Sequence, residues 1–332
     1  SRTRCPRATS STTKRWCSTI RAAALPVAPG GPGARVAANG ARGRAGVRLS
    51  TPDGVYFPED GITKGELAQY YERMAERVPP GLVQRPLSLV RCPEGREGKC
   101  FFQKRAERSI PEAVPRVVVN KGRPGYAMVS DLASLVSLVQ VGVLELHVRG
   151  ARADLLDRPD IVVVDIDPDP SLPWTRVAEA AFLLRELFQA LELVPFVRST
   201  GGKGLHVVVP LERRSTWEEV KEFALAAAGR LVRAGPDRFT ANMSRSRRQG
   251  KIFLDVFRNA PEATAIASWS TRARPGAPVA ATLDWGELEA DDPPRITLRD
   301  APARLKRLDP WASFEDSRRR LTESMRRRVA VL

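Results

Sequence analysis

Two aspartates, Asp165 and Asp167, lie at the end of a short aliphatic run that begins at Ile161 and stops at Pro168. Consecutive aliphatic residues predict a buried strand, and alternation along a strand places both carboxylates on one face. Two negative charges this close together are costly unless divalent cations bind them or one pKa rises. The run therefore indicates a metal site. The alternative is a strand end with two acidic turn residues.

A glycine-rich stretch follows, and it reads Arg198-Ser-Thr-Gly-Gly-Lys-Gly-Leu-His206. Glycines allow tight turns in which successive backbone N–H groups face an anion. Thr200, Lys203 and His206 add side-chain donors, so the stretch is interpreted as a phosphate cradle. It lacks the Gly-x-x-x-x-Gly-Lys-Ser/Thr pattern of nucleotide P-loops. The alternative is a tight hairpin turn with a solvated lysine.

A third stretch reads Lys-Ile-Phe-Leu-Asp-Val-Phe and contains Asp255. Alternation predicts that Phe253, Asp255 and Phe257 share one face of a strand. A half-buried carboxylate between aromatic side chains needs a partner, and a metal shared with Asp165 and Asp167 would provide one. The nearby arginines that could neutralise a triphosphate are Arg248, Arg272 and Arg274.

The composition favours a basic, core-forming protein with a polyanionic partner. The chain has 332 residues, of which 42% are hydrophobic, and its net charge is +16. This length allows one large domain or two small ones. A strong positive charge is typical of nucleic-acid binding, although an arginine-rich proteome would explain part of it. No run of eighteen apolar residues is present, so no membrane partner is expected.

The four cysteines form no Cys-x-x-Cys pair, and both histidines are distant from them in sequence. We therefore expect neither a zinc site nor a disulfide scaffold, and reduced thiols are the simplest account. Residues 1–48 contain no acidic residue and predict a disordered basic tail. An organelle transit peptide would have a similar composition. Because residue 1 is Ser and not Met, an expression scar or a mis-assigned start is a further alternative.

The remaining pattern mixes helices and strands without strict alternation, which predicts the α+β class. Capping boxes at Thr63 and Thr216 begin two amphipathic helices, and Asp131 is expected to cap a third. Residues from Phe314 onward are expected to form a basic helix, and 312–332 a basic helix or tail. Phe101 and Phe102 lie among lysines, where an exposed phenylalanine could stack on a base; the alternative is two core aromatics.

The three chemical stretches in this order resemble the polymerase domain of bacterial DNA ligase D, a member of the archaeo-eukaryotic primase superfamily. The resemblance extends over residues 49–311, which we take as one primase-polymerase domain. Several long motifs in one order are more specific than any single one. Further matching motifs are Phe57-Pro-Glu-Asp-Gly-Ile-Thr-Lys-Gly, Cys100-Phe-Phe-Gln-Lys, Glu145-Leu-His and Ser270-x-Arg-Ala-Arg-Pro-Gly-Ala-Pro-Val.

The resemblance implies a primase-polymerase-like core with central mixed or antiparallel sheets flanked by helices. It implies a nucleotidyltransferase that adds NTP or dNTP to DNA with gaps or broken ends during non-homologous end joining. The resemblance also implies two bound Mn²⁺ or Mg²⁺ ions, and it implies Ku and a DNA ligase as partners. So does a cytoplasmic, nucleoid-associated location in a bacterium. Without a ligase or phosphoesterase segment, the chain is expected to be a free-standing polymerase or a fragment.

The resemblance also assigns roles to individual residues of this sequence. The metal-binding and catalytic carboxylates are matched by Asp165, Asp167 and Asp255. The nucleotide-binding positions are matched by Thr200, Gly201, Gly202, Lys203, His206, Arg248 and Arg272. The DNA-binding positions are matched by Lys64, for a 5′-phosphate across a gap, and by Phe101, Phe102 and Lys104 at the DNA end.

Several positions depart from the family pattern. Thr51 and Gly54 stand where the family commonly has Asn and Lys at the 5′-phosphate pocket, and one lost lysine weakens an ionic contact there. Thr200 replaces the usual serine and keeps its hydroxyl, and Arg105 stands where a histidine is common. Two rival functions remain. One is a phosphohydrolase with the first Asp of Asp-x-Asp as nucleophile, and the other is an inactive DNA-end-binding module.

Overall fold

The structure is a computed structural model that describes residues 45–119 and 124–331, so most of the predicted tail, 1–48, lies outside the described residues. Strands and helices are numbered in chain order. The strands are β1 Val55–Phe57, β2 Ile62–Thr63, β3 Leu87–Arg91, β4 Phe101–Gln103, β5 Arg116–Val117, β6 Tyr126–Ala127, β7 Val143–Val148, β8 Ile161–Pro168, β9 Phe196–Ser199, β10 Leu205–Pro210, β11 Phe239–Thr240, β12 Ile252–Asp255, β13 Ala265–Ile266 and β14 Thr282–Leu283. The helices are α1 Lys64–Arg73, α2 Pro79–Leu82, α3 Leu132–Gln140, α4 Trp174–Ala190, α5 Trp217–Ala234 and α6 Glu323–Val331.

The first sheet has the strand order β11-β12-β8-β10-β9-β14. Its neighbouring strands are antiparallel except β11 and β12, which run parallel. Alternation along β8 directs Val162, Val164 and Ile166 to the face that packs on α4 and α5. The opposite face carries Asp165 and Asp167, so the helices bury the aliphatic half of the strand and leave the carboxylates on the other side.

The second sheet has the order β13-β7-β3-β6-β5, and β4 also pairs with β3. All of its pairings are antiparallel. Helices α1 and α3 pack together beside it, and α3 also contacts β7. Antiparallel and mixed sheets with helices packed against them confirm the predicted α+β class.

The helix starts follow the capping signals in the sequence. Thr63 and Thr216 each accept a hydrogen bond from the backbone of the third helical residue, in complete capping boxes. Asp131 caps α3 in the same way, through Ser134. Helix α4 begins at Trp174, directly after Pro173, whose fixed φ suits a helix start. Within the described residues, no helix combines the length and apolarity that crossing a bilayer requires.

The C-terminal segment differs from the expectation of a helix from Phe314 onward, because α6 begins only at Glu323. Residues before it lie against the first sheet instead: Arg319 forms a bridge with Leu211, just beyond β10. Trp311 and Phe314 stack on each other at 4.7 Å between ring centroids and pack around Phe196. These tertiary contacts stabilise a run of turns over residues 310–317 and compete with helix formation.

Cys92 and Cys100 form a disulfide, so the expectation of reduced thiols is wrong for this pair. The register of the hairpin explains it. Arg91 of β3 pairs with Phe101 of β4, and the next residue on one strand then faces the preceding residue on the other. The sequence spacing of eight gives no Cys-x-x-Cys signal, whereas the hairpin brings the two Cα atoms to 4.3 Å.

Asp160 joins the start of β8 to the C-terminal segment through buried ion pairs. Its carboxylate is fully buried and lies 2.7 Å from Arg85 Nη1, 3.1 Å from Arg152 Nε and 3.2 Å from Arg318 Nη2. Burial alone would raise the pKa of Asp160, but the three guanidinium groups outweigh it and lower that pKa. The carboxylate therefore stays ionised, and its loss would leave the buried Arg85 without its carboxylate partner, while Arg152 and Arg318 would keep only Glu315.

We predict that Asp160→Ala lowers the free energy of unfolding by about 3–5 kcal/mol, because it removes the anion from a buried ion-pair cluster. Urea denaturation at neutral pH measures this change. Asp154→Ala is the matched control, since Asp154 pairs with Arg213 at the surface and its loss should cost less than about 1 kcal/mol. Equal effects of the two substitutions would contradict the prediction.

The same cluster predicts a pH dependence. Because the folded-state pKa of Asp160 lies below the ordinary value of about 3.9, its stabilisation is complete above that value. It is lost as the pH falls through the lower, folded-state pKa. The difference in unfolding free energy between the wild type and Asp160→Ala should therefore shrink in strong acid, as denaturation curves at successively lower pH would show.

Candidate active site

Four functional side chains form one row across the first sheet. Asp255 of β12 is paired with Asp165 of β8, Asp165 with His206 of β10, and His206 with Arg198 of β9. Directly paired residues project from the same face, so the row presents two carboxylates, an imidazole and a guanidinium side by side. Asp167 lies two residues along β8, on the same face. The three aspartates singled out in the sequence thus lie together.

Arg258 lies between the two paired carboxylates. Its Nη2 is 3.2 Å from Asp165 Oδ2 and 3.3 Å from Asp255 Oδ2. Within 45–119 and 124–331, no three His, Cys, Asp or Glu side chains are arranged to ligate a metal ion. The donor chemistry nevertheless fits a hard divalent cation, because three carboxylates converge on one face. In this arrangement the Arg258 guanidinium balances the charge that such a cation would balance.

The two aspartates of β8 differ in their electrostatic surroundings. Burial would raise the pKa of Asp165, but His206 and Arg258 outweigh it and hold that pKa at about 2. The pKa of Asp167 is raised, by burial first and then by the neighbouring Asp165 charge, while Arg248 opposes the rise. Arg248 Nη1 lies 3.6 Å from Asp167 Oδ2, and its guanidinium stacks over the Phe253 ring at 3.6 Å. Asp167 is therefore the carboxylate with the weaker cation partner.

His206 is held as a neutral imidazole of defined tautomer. Arg198 donates to its Nδ1 from Nε at 3.2 Å and from Nη2 at 3.0 Å. A nitrogen that accepts these bonds carries no proton, so the ring proton lies on Nε2, which is 3.4 Å from Asp165 Oδ2. Burial lowers the pKa of His206 and lowers that of Arg198 to about 9. His206 can therefore donate towards Asp165 or towards a phosphate.

The glycine-rich stretch forms a tight loop between β9 and β10. Gly201 has φ +69°, which favours glycine, and a Cβ at Gly204 would lie 2.5 Å from the Ile166 carbonyl oxygen. The Thr200 hydroxyl donates to the Gly204 carbonyl at 3.1 Å, and Lys203 Nζ donates to the Pro170 carbonyl at 3.1 Å. Both donors are satisfied by backbone oxygens, which a phosphate would have to replace.

Glu145 of β7 connects the second sheet to this loop. Its carboxylate lies 2.9 Å from His147 Nε2 and 3.1 Å from Arg272 Nε, and Arg272 also donates to the Thr200 carbonyl at 2.6 Å. Burial opposes ionisation of Glu145, yet His147 and Arg272 hold its pKa at about 2. The Arg272 guanidinium is thus held by two groups, a carboxylate of the second sheet and a carbonyl of the glycine loop.

These groups surround a polar cavity of about 350 Å³, a size typical of small-molecule sites. Asp165, Asp167, His147, His206 and Arg258 line one part of it. Asp255 and Arg248 contact this lining through Arg258 and Asp167. The rest of the wall comes from the end of β8 with the turn after it, the glycine loop, β13 with the residue before it, and the segment after β13: Pro168, Pro170, Thr200, Lys203, Gly204, Thr264, Ala265, Ile266, Arg272 and Arg274.

The predicted DNA-contacting residues lie on and around the second sheet. Phe101 and Phe102 are 40% and 49% exposed, so the alternative of two core aromatics is wrong. Phe102 meets the His147 ring edge-on at 5.6 Å, which places it beside the cavity, and Lys104 is exposed nearby on the chain. Lys64 is only 4% exposed; its Nζ donates to the Ser50 carbonyl at 3.0 Å.

Three site residues had no role in the sequence interpretation: Arg198, Arg258 and Glu145. Arg198 and Glu145 stand inside quoted motifs, and Arg258 follows the strand motif by three residues, a common distance for a turn to fold back. Sequence spacing does not reveal these roles, because each depends on a partner that folding brings into contact. These partners are His206 for Arg198, across the β9–β10 hairpin, and the sequence-distant Asp165 for Arg258 and Arg272 for Glu145, and only the tertiary structure shows them.

The position of Arg258 predicts a metal-dependent stability. Arg258→Gln leaves Asp165 and Asp255 facing each other without a cation. In EDTA the variant should therefore have a lower thermal midpoint than the wild type, and its free energy of unfolding should be lower by about 1 kcal/mol. Millimolar Mn²⁺ should restore the variant and stabilise it more than the wild type, because the cation binds the folded state alone. Differential scanning fluorimetry measures both. Equal Mn²⁺ shifts in the two proteins would contradict the prediction.

Comparison with known proteins identifies the family of this chain. Residues 63–311 match the family described as LigD, primase-polymerase domain. The chain is 42% identical over 313 residues to the multifunctional non-homologous end joining protein LigD of Pseudomonas aeruginosa. This match covers 91% of this chain and 37% of that protein. It is 34% identical over 272 residues to the protein of the same name from Mycolicibacterium smegmatis, with 81% and 35% covered.

Among solved structures, the polymerase domain from Mycobacterium tuberculosis ligase D in complex with DNA superposes with a TM-score of 0.75 and 28% identity. The match covers 82% of this chain and 99% of that one. The chain thus spans little more than a third of the length of the two curated relatives. Sequence and fold agree over the same region, and this chain belongs to the LigD primase-polymerase domain family.

Proposed function

We propose that this chain is a nucleotidyltransferase that adds ribo- or deoxyribonucleotides to the 3′ end of a DNA primer and fills gaps at broken ends. One observation carries the proposal: Asp165, Asp167 and His206 line a cavity that the glycine loop also lines, and Asp255 is paired with Asp165 in the same row. Carboxylates on one wall and phosphate donors on the other are the groups that phosphoryl transfer requires. The relatives' names, which state non-homologous end joining, support the same setting.

In this proposal Asp165, Asp167 and Asp255 hold two divalent cations, Mn²⁺ or Mg²⁺. When bound, such ions lower the pKa of the primer hydroxyl and neutralise the triphosphate. The chain's own contribution is to keep all three carboxylates on one face and to keep Asp165 ionised. Asp165 meets this need because its pKa is held at about 2. Asp167, with its raised pKa and its weak contact to Arg248, is the carboxylate most sensitive to a cation nearby.

The nucleotide is proposed to lie in the cavity with its phosphates against the loop that contains Gly201 and Gly202. The donors are His206 Nε2, the Thr200 hydroxyl, Lys203, Arg248 and Arg272. Thr200 and Lys203 exchange their backbone acceptors for phosphate oxygens, which keeps each donor satisfied in both states. Arg272 is already fixed by Glu145, so it can meet the phosphate charge with little loss of side-chain freedom.

The DNA end is proposed to lie across the exposed face of the second sheet. Phe101 and Phe102 offer stacking surfaces, and Lys104 meets the backbone. Lys64 is assigned to a 5′-phosphate across a gap, for which it must exchange its acceptors on Ser50. Ku and a DNA ligase are proposed as partners from the end-joining setting that the relatives' names state.

Two rival functions fit the site less well. An aspartyl-phosphate mechanism needs the first aspartate of the pair as a free nucleophile, whereas Asp165 is engaged by His206 and Arg258. A catalytically inactive DNA-binding module has no use for three converging carboxylates, which repel each other and need Arg258 to balance them. The polymerase proposal explains the charge arrangement that both rivals leave without a purpose.

We predict that Asp165→Ala lowers primer extension on gapped DNA by at least about 100-fold, because the cation sites lose their shared ligand. DNA affinity, measured by fluorescence anisotropy, should stay within about twofold of the wild type. Asp169→Ala is the matched control: Asp169 lies two residues beyond the pair, and its carboxylate accepts hydrogen bonds from the backbone N–H and the hydroxyl of Ser171.

The assay compares ribonucleotides with deoxynucleotides, Mn²⁺ with Mg²⁺, and gaps with and without a 5′-phosphate. Full extension by Asp165→Ala would remove the proposed role of the carboxylates. Release of phosphate from small phosphoesters without any primer extension would replace the polymerase by the phosphohydrolase. Equal DNA binding with and without metal, together with no nucleotide incorporation, would identify an inactive binding module.

A further inference from the structure

Two arginines converge on one tyrosine at the edge of the second sheet. The guanidinium carbons of Arg105 and Arg149 lie over the Tyr126 ring, at 4.2 Å and 4.3 Å from its centroid. Arg149 Nη2 also donates to the Tyr126 hydroxyl at 3.2 Å. The ring therefore attracts and orients two cations that would repel each other in its absence. We call Arg105, Tyr126 and Arg149 the arginine–tyrosine cluster.

The cluster carries more positive charge than its carboxylate partner balances. Glu262 lies 3.7 Å from Arg105 Nη2 and 3.9 Å from Arg149 Nη2, which is longer than a hydrogen-bonded ion pair. Its side chain is 54% exposed, whereas that of Arg149 is 3% exposed. The Nε of Arg149 is buried and finds no hydrogen-bond partner in the described part of the chain. A loosely held, exposed carboxylate thus covers a buried, incompletely satisfied guanidinium.

The pairing of the strands places this cluster on the same face as Phe102. Leu87 of β3 pairs with Val148 and with Ala127, so these three side chains share one face. Tyr126 precedes Ala127 and therefore projects from the opposite face. His147 also projects from that opposite face, because it precedes Val148.

Phe102 projects from this face as well. It pairs with Val90, which pairs in turn with Glu145, and Glu145 lies two residues from His147 on β7. One sheet face therefore carries, in succession, Glu145 at the cavity, Phe102 against His147, and Tyr126 with its two arginines. A DNA strand that leaves the cavity and stacks a base on Phe102 would therefore reach the arginine–tyrosine cluster next.

We propose that Arg105 and Arg149 bind a backbone phosphate of the DNA strand whose base stacks on Phe102, and that Glu262 occupies this anion position in the free protein. The proposal rests on the proposed function, since it needs a DNA end on this face. A phosphodiester suits the site because it is a compact anion with two exposed oxygens, and guanidinium groups bind such oxygens in a planar fashion. Glu262 would swing outward, which its exposure permits.

The test measures the affinity of the full chain for a fluorescent duplex with a single-stranded 3′ overhang, without nucleotide or divalent metal. Arg105→Ala should weaken binding about tenfold, because a charged hydrogen-bond partner of one phosphate is lost. The slope of log Kd against log salt should fall by about 0.7, the value for one phosphate on a single strand. Glu262→Gln should act in the opposite direction and tighten binding about threefold.

Matched controls come from the surface pair of Arg213 and Asp154, which lies beyond the end of β10 remote from the cavity. Arg213→Ala and Asp154→Asn change the net charge by the same amounts as the two test substitutions. They should alter the affinity by less than about twofold. A change as large as that of Arg105→Ala would mean that net charge alone is measured, and it would overturn the proposal.

A double-mutant cycle separates the site from general electrostatics. If Glu262 acts through the arginines, Glu262→Gln should lose most of its effect in the Arg105→Ala background. Independent, additive effects would overturn the proposal, as would unchanged affinity and salt slope in Arg105→Ala. Glu262→Gln alters an exposed side chain, so it tests the site even if a change at Arg105 impairs folding.

A different ligand at the cluster would also be revealed. If Arg105→Ala raised the KM for the nucleotide and left DNA affinity unchanged, the cluster would serve the triphosphate and the proposal would be wrong. Because the binding assay needs no catalysis, its result is separate from that of primer extension. Loss of affinity in Arg105→Ala with no extension by the wild type would sink the polymerase function and leave the phosphate site standing.

Discussion

The structure depends on how the first sheet accommodates adjacent negative charges on paired strands. Asp165 and Asp255 are direct cross-strand neighbours, and such a pair of carboxylates destabilises a sheet unless a cation lies between them. Arg258 supplies that cation in the protein alone, and His206, oriented by Arg198, supplies a donor on the other side of Asp165. The row from β12 to β9 is therefore an electrostatic chain in which each member sets the state of the next.

The second sheet enters the site through the ionic contacts of Glu145. Arg272 connects this carboxylate with the Thr200 carbonyl, so the glycine loop of one sheet is fixed against a strand of the other. His147 shares the same carboxylate and supports Phe102 by ring contact. One buried acid thus holds Arg272 directly and positions Phe102 through His147. This arrangement gives a physical reason for the proposed nucleotide site and the proposed DNA-contacting surface to form one continuous region.

The arginine side chains of this protein have two different roles. Around Asp160 three arginines pair at close range with one buried carboxylate, and Arg152 and Arg318 also pair with Glu315, so this cluster attaches the C-terminal segment to the start of β8. Around Tyr126 two arginines share a distant and exposed carboxylate, which leaves charge available to a ligand. The net charge of +16 does not distinguish these two roles of arginine. Burial and partner distance separate a structural arginine from one that can bind a polyanion.

The local elements followed from local signals in the chain. The capping boxes at Thr63 and Thr216, the aliphatic run that ends at Pro168 and the α+β class are all set by residues close in sequence, because caps and alternation act over a few residues. The three aspartates were also identified from their types and spacing. The family resemblance was carried by the order of several long motifs, and the comparisons confirm it.

Tertiary structure decided what those residues touch. The pairing of Asp255 with Asp165, the counter-ion role of Arg258 and the tautomer of His206 all depend on contacts between strands that are distant in sequence. The disulfide between Cys92 and Cys100 and the delayed start of α6 depend in the same way on hairpin register and on packing against the first sheet. Propensity and spacing act over a turn or a strand, whereas the neighbour across a sheet is chosen by the fold as a whole.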